Sequence, residues 1–377
     1  MLRALSRRTQ EDRRWDGPDD PGFLKSCMPR GVLRSYADGR IEDTGPLTRK
    51  RMETIDDETT AACIDFIERQ VKANKPFFTW MNTTRMHFVT HVRPSMLGQS
   101  GMPGNEYADC MIEHDGDIGK LLKALDDLKI TDNTIVVYTT DSGPNRFSWP
   151  GAANSLFRNE KDYNFEGAFR VPAMVRWPGH IKPGTIATDM FSGLDWFPTL
   201  LAAASDTTIK DQLLKGASLG GRTYKVHLDG YNQIPYLTGQ QPHGAREEFA
   251  YFNDDGALVA FRCKDWKAVF CEMKYPGGFA VWREPFTCLR VPKIFNLRMD
   301  PYERADIVSD QYNDWLVKNA YLTAELAFHA AQLLQTFVEY PPSQEPASFS
   351  VDQIARSVDA YNQGNALVML GQYTVAI

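Results

Sequence analysis

Residues 107–143 read YADCMIEHDGDIGKLLKALDDLKITDNTIVVYTTDSG, and this stretch sets the class of fold. Met111, Ile118, Leu122 and Leu125 recur on one helical face, and Leu121 and Leu128 on another, with acidic residues around them. A short polar link follows. Then NTIVVYTT, residues 133–140, reads as a strand of β-branched residues that stops at Asp141. A helix feeding a short apolar strand with a carboxylate at its end is a unit of an α/β sheet with helices on its faces.

The flanking text extends the pattern. DDETTAACIDFIERQVKANKP, residues 56–76, places Ile64, Ile67 and Val71 at helical spacing, with acids in the first turn. PFFTWM, residues 76–81, reads as a buried strand, and a polar stretch with His87 and His91 follows it. RVPAMVRWPG, residues 170–179, reads as another strand, and LDWFPTLLAAAS, residues 194–205, opens another helix. Past Gly239 the rhythm changes. EEFAYFNDDGALVAFRCKDWKAVFCEM, residues 247–273, holds two strand-like runs around a hairpin signal, NDDG. KIFNLRMDPYERADIV is a further strand entering an Asp-Pro turn, and a long amphipathic helix from Trp315 to Val338 follows. The expected architecture is α/β: a mixed or parallel sheet flanked by helices, with a small C-terminal antiparallel sheet plus a helix. Residues 1–50, rich in Arg, Asp, Pro and Gly, read as a poorly structured arm, residues 51–240 as the α/β core, and residues 241–377 as the C-terminal subdomain.

Composition narrows the partners. The chain has 377 residues, a formal net charge of -6 and no long basic run past RALSRR, so nothing points to nucleic acid. No stretch approaches the roughly 18 apolar residues of a membrane helix. The N-terminus is basic but meets charge again before an apolar core forms, so it does not read as a secretory signal. The six cysteines make no C-x-x-C pair, which excludes a zinc ribbon; Cys263 and Cys271 flank a hairpin and are placed to meet, although buried free thiols are the plainer expectation.

Four of these segments carry a resemblance. Residues 107–143, FRNEKDYNFEGAFRVPAMVRWPG at 157–179, KPFFTWMNTTRMH at 75–87 and FNLRMDPYERADI at 295–307 are similar, in order, to segments of the sulfatase family, bacterial arylsulfatases in particular. The resemblance implies an alkaline-phosphatase-like fold and hydrolysis of sulfate monoesters on a sulfated small molecule or glycan. It implies a divalent cation, Ca2+ or Mg2+, and a nucleophile made by oxidising a cysteine to formylglycine. The family is often periplasmic or secreted.

Residue by residue, Asp141 matches a metal ligand. It follows an apolar strand, where ligands of open α/β sheets gather, and a carboxylate suits a hard cation; DSGP is also a good turn by itself. Ser142 stands where the family has a metal-ligating asparagine, and its shorter hydroxyl is a weaker ligand. Lys161 matches the lysine that neutralises the sulfate; without the resemblance it would read as a solvated lysine. His87 matches the histidine that serves the leaving oxygen, a role suited to imidazole near neutral pH. His91 and His114 read as structural, as do Arg170 and Trp177.

Cys27, in FLKSCMPRGVLRS, imitates the family signature C-x-P-x-R but places its arginine one residue early, with Gly31 in the fourth position. Residues three and four places along a helix point about 100° apart. Sixty residues separate Cys27 from His87, far fewer than in the family. Cys27 is therefore rejected as the nucleophile. Neither Asp19–Asp20 nor Asp56–Asp57 follows an apolar strand, as the family's aspartate pair does. The chain thus reads as lacking the nucleophile and most cation ligands, inactive alone, with a missing N-terminal segment. Two other readings stay open: a non-catalytic sulfatase-like binding module, and a phosphate or phosphonate monoester hydrolase of the same fold.

Overall fold

The computed structural model describes residues 2–3, 31–87, 90–146, 149–152, 155–275 and 277–342; Cys27, Asp19 and Asp20 lie outside the described residues. The chain forms two compact units, one of Met1–Ile135 with Asn145–Asn154, the other of Val136–Pro144 with Ser155–Ile377.

In the first unit, β1 (Leu2–Arg3), β2 (Gly31–Ser35) and β3 (Ile41–Pro46) form an antiparallel sheet. Part of the expected loose arm is therefore a hairpin. Gly31 and Gly39 disfavour a helix here, and burying Val32 and Leu47 with Met52 and Ile55 rewards the extended form instead. Helix α1 (Ile55–Lys72) carries Asp56, Asp57 and Glu58 in its first turn, where they complement the helix dipole. Helix α2 (Glu106–Asp127) is capped by the Asn105 side chain, which accepts from the Ala108 N–H.

The buried face of α2 differs from the expected apolar stripe. Met111 is 44% exposed, while Cys110, Glu113, His114 and Asp117 are buried. The reason is Arg85. Its buried guanidinium pairs with Glu113 at 2.5 Å and Asp56 at 3.3 Å, so the helix turns its charges inward to meet it. The segment 76–81 also departs from expectation. It forms no ladder, and Phe78 and Trp80 are 68% and 73% exposed. A strand needs a partner for its backbone groups, and none of the described strands pairs with it.

The second unit holds β4 (Val136–Thr139) paired antiparallel with β5 (Ala173–Arg176), helix α3 (Trp196–Ala203), and a small hairpin of β6 (Ala217–Leu219) and β7 (Arg222–Tyr224). Next comes a four-stranded antiparallel sheet in the order β11-β10-β9-β8, from β8 (Glu248–Phe252), β9 (Leu258–Cys263), β10 (Trp266–Glu272) and β11 (Thr287–Asn296). Every strand pairing among the described residues is antiparallel, so the expected parallel pairs are not among them.

The two faces of the four-stranded sheet have separate tasks. Cross-strand partners share a face. Ala260 and Val269 pair on one face and pack with Phe165, Tyr251, Phe295 and Tyr312. Phe261 and Ala268 pair on the other and pack with Leu326 and Ala330 of the last helix. That helix is divided. Instead of one helix from Trp315 to Val338 there are α4 (Tyr312–Lys318) and α5 (Tyr321–Glu339). Asn319 ends α4, its side-chain amide donating to the Trp315 carbonyl at 2.8 Å.

The faces also decide the disulfide. Cys271 clusters with Val269, whereas Cys263 packs with Phe261 beneath α5. The sheet thus keeps Cys263 and Cys271 apart, and the expectation of free thiols holds for Cys263 but not for Cys271. Cys271 instead bonds Cys288, directly opposite it on β11, and Cys263 stays a free thiol.

Candidate active site

Strand β4 delivers Asp141 to an exposed turn, where the Thr140 hydroxyl donates to its carboxylate at 3.2 Å. The Ser142 hydroxyl donates to the Gly143 carbonyl at 3.3 Å. Two backbone hydrogen bonds join this turn to the loop that bears Lys161. The Lys161 N–H donates to the Pro144 carbonyl at 3.1 Å, and the Gly143 N–H to the Ala168 carbonyl at 2.8 Å. Asp141, Ser142 and Lys161 thus belong to one braced substructure of the second unit.

Two glycines make the join close. A Cβ on Gly143 would sit 1.8 Å from the Gly167 carbonyl oxygen, and one on Gly167 would sit 2.3 Å from the carbonyl oxygens of Arg158 and Asn159. Here glycine serves close approach of backbone to backbone, not a left-handed turn.

Beneath the loop lies a buried ionic network that sequence reasoning missed. Lys267, fully buried in β10, reaches Glu303 at 2.8 Å and Glu166 at 3.2 Å. The Tyr251 hydroxyl donates to Glu166 at 2.6 Å. Glu303, from the Asp300-Pro301-Tyr302-Glu303 turn, accepts the Glu166 N–H at 2.6 Å. Burial works to raise the Glu166 carboxyl, but the Lys267 ammonium, the Tyr251 hydroxyl and Arg262 overcome it and hold the group down at about 2. Glu303 goes the other way, raised chiefly by burial. The network fastens the short helix Glu166–Phe169, which follows Lys161, to the sheet. A lone lysine in the apolar run WKAVF was the available signal. Arg170 pairs with Glu166 at 3.2 Å and Trp177 stacks on His180, contacts in keeping with structural roles.

Asp162 neighbours Lys161 in the left-handed region, at φ 69°. Burial first, then the charge of Asp254, pushes its carboxyl up to about 6, against the pull of Lys161.

His87 belongs to the first unit, where it is half-buried. Its N–H donates to the Thr84 carbonyl at 3.1 Å. The turn leading to it is held from α1: the Asp56 carboxylate accepts the N–H groups of Thr84 and Arg85 at 2.7 and 3.1 Å. His114 is buried within α2, and His91 lies 3.5 Å from Glu106, both in keeping with structural roles.

Calcium takes about six to eight oxygen ligands. Asp141 and Ser142 bring two oxygen-bearing side chains to their turn. Asp56 and Asp57 are committed elsewhere, Asp56 to Arg85 and Asp57 to Arg93 and Lys120. The described residues therefore do not make up a calcium site by themselves.

The sulfatase family model matches residues 6–207. The chain is 33% identical over 274 residues to N-acetylgalactosamine-6-sulfatase of Canis lupus familiaris, covering 67% of this chain and 48% of that protein. It is 30% identical over 246 residues to arylsulfatase A of Bos taurus, covering 62% of this chain and 45% of that protein. It spans about half the length of these relatives. Among solved structures, the PsFucS1 sulfatase from Pseudoalteromonas sp. superposes with a TM-score of 0.65 at 24% identity, over 84% of this chain and 60% of that one. A second, Ps i-CgsB in complex with a neocarrahexaose, gives 0.58 at 20% identity, over 85% and 62%. These likenesses speak for the fold, alkaline-phosphatase-like α/β. With the family model matching more than half its length and a relative 33% identical over 67% of it, the chain belongs to the sulfatase family.

Proposed function

We propose that this chain serves hydrolysis of sulfate monoesters, with a sulfated glycan as the substrate class. The observation that carries the reading is the hydrogen-bonded join of the Asp141 turn to the Lys161 loop, which puts a carboxylate and an ammonium on one rigid support. Lys161 would neutralise the sulfate and stabilise the charge that develops as the S–O bond breaks. His87 would hydrogen-bond the leaving oxygen and give it a proton. Asp141 would act as one ligand of a divalent cation, calcium in the family reading, and Ser142 as a weaker one. No step is routed through that cation, because the residues here do not complete its site. The glycan class follows the relatives, among them the N-acetylgalactosamine-6-sulfatase.

On the reading that Cys27 is not the nucleophile, the chain would bind without turnover when alone. Ser142 in place of the ligating asparagine favours this non-catalytic behaviour. The test is a pair of assays on the purified chain. Hydrolysis of nitrophenyl sulfate is expected to be nil, and binding of a sulfated monosaccharide by calorimetry is expected to weaken on Lys161→Ala. Turnover that disappears in Cys27→Ala would restore Cys27 as the nucleophile. Unchanged binding by Lys161→Ala would remove the sulfate site.

A further inference from the structure

The face of the four-stranded sheet turned away from the lysine loop gathers a second set of donors. Glu248 on β8 and Cys263 on β9 are direct cross-strand partners, so their side chains emerge on the same face. That is the face covered by α5, through Leu326 and Ala330. His329 lies between these two apolar contacts in sequence, and its Nδ1 meets Glu248 Oε1 at 2.6 Å. The Glu248 carboxylate, the Cys263 Sγ and a His329 ring nitrogen all fall within 4.8 Å of one another. Glu325, one helical turn before His329, is near enough for its charge to act on Cys263. All three central residues are half-buried, which leaves them held by the fold and still reachable from solvent.

We propose that Glu248, Cys263 and His329 form a binding site for a zinc-class divalent cation, with Glu325 or water as the fourth ligand. A Glu–His pair alone is an ordinary surface ion pair. The thiol gives the cluster its selectivity: sulfur with imidazole and carboxylate is the mixed donor set of tetrahedral zinc, and a poor one for calcium or magnesium. The donors come from three elements, two strands and a helix, so a bound ion would fasten α5 to the sheet. Binding exchanges the Glu248–His329 contact for two metal bonds and releases the Cys263 thiol proton to solvent, since the thiolate is the ligand. The site is chemically distinct from the all-oxygen cation site expected at Asp141, and it does not depend on sulfatase activity.

The test uses the full 377-residue chain, freed of tag and metal, under nitrogen without thiol reductant so that Cys271–Cys288 stays intact. Zinc is titrated by calorimetry, and cobalt(II) is added as an optical probe. The expected result is micromolar or tighter zinc binding, with a thiolate-to-cobalt charge-transfer band and the visible bands of a tetrahedral ion. Cys263→Ser should abolish the charge-transfer band. His329→Gln should weaken zinc binding by more than the roughly 10–100-fold that loss of an outer-shell partner costs. The exposed pair His243 and Asp189 provides a control, and His243→Gln should change nothing. Circular dichroism shows whether each variant is folded, and retention of the protein's own disulfide is checked by mass. Absence of zinc binding by the folded chain overturns the proposal. So does a charge-transfer band that survives Cys263→Ser, or zinc affinity that His329→Gln leaves unchanged.

Discussion

Replacing Asp162 with asparagine should make the protein more stable near neutral pH. The carboxyl is raised from its ordinary 3.8 to about 6, first by burial and then by the charge of Asp254. A raised acid binds its proton more tightly in the folded state than in the unfolded one. Its favourable contribution is fully present below pH ~4 and is lost as pH climbs through ~6. The shift of about two units corresponds to a ceiling of about 3 kcal/mol, at about 1.4 kcal/mol per unit. The side chain keeps partial access to water, and screening there reduces the figure to about 1 kcal/mol. Asparagine is isosteric, cannot ionise, and tolerates the φ of 69° at this position. Urea unfolding followed by tryptophan fluorescence, for wild type and Asp162→Asn at about pH 4.5 and about pH 7.5, isolates the effect, because groups not coupled to Asp162 cancel in the difference. The variant should gain about 1 kcal/mol at the higher pH and little at the lower. A variant no more stable than wild type at about pH 7.5, or one with the same gain at both values, would refute the reasoning.

Two further substitutions probe the support of the lysine loop. Lys267→Met should cost about 3–5 kcal/mol in urea unfolding, because it strands Glu166 and Glu303 without their shared cation; a loss below about 1 kcal/mol would mean the network contributes little. Gly143→Ala should cost about 1–3 kcal/mol or more, since its Cβ would fall 1.8 Å from backbone that cannot yield. The comparison is Gly116→Ala in α2, where a Cβ meets nothing within 4 Å and helix propensity predicts a gain of about 0.5–1 kcal/mol; equal effects at both positions would discard the close-packing account.

Period and punctuation made much of the fold legible. Strand β4 announced itself through β-branched residues, and the β8–β9 hairpin through NDDG between two alternating runs. Helix α2 was readable as a helix, but its inward face was not. Periodicity counts apolar residues, and this face is buried around Arg85, 28 residues before its partner Glu113 along the chain. PFFTWM misled for a related reason. An apolar run says a segment will be buried if a partner exists, and cannot say that one does. The disulfide was hidden by parity: only the register shows that Cys263 and Cys271 leave opposite faces of the sheet. At the candidate site, resemblance alone singled out Asp141, Ser142 and Lys161, and the structure joins their two segments by backbone hydrogen bonds. Their scaffold was not, because Lys267 and Glu303 come from distant segments whose convergence no local spacing encodes.

The bond between Cys271 and Cys288 has a practical corollary. It draws shut the neck of the segment between β10 and β11, and that segment is the neighbour of the lysine loop: Tyr163 donates to the Tyr275 carbonyl at 2.5 Å and packs with Met273 and Val281. A protein stored in dithiothreitol and one stored without it would therefore present differently anchored walls beside Lys161, and measurements on the two should not be pooled.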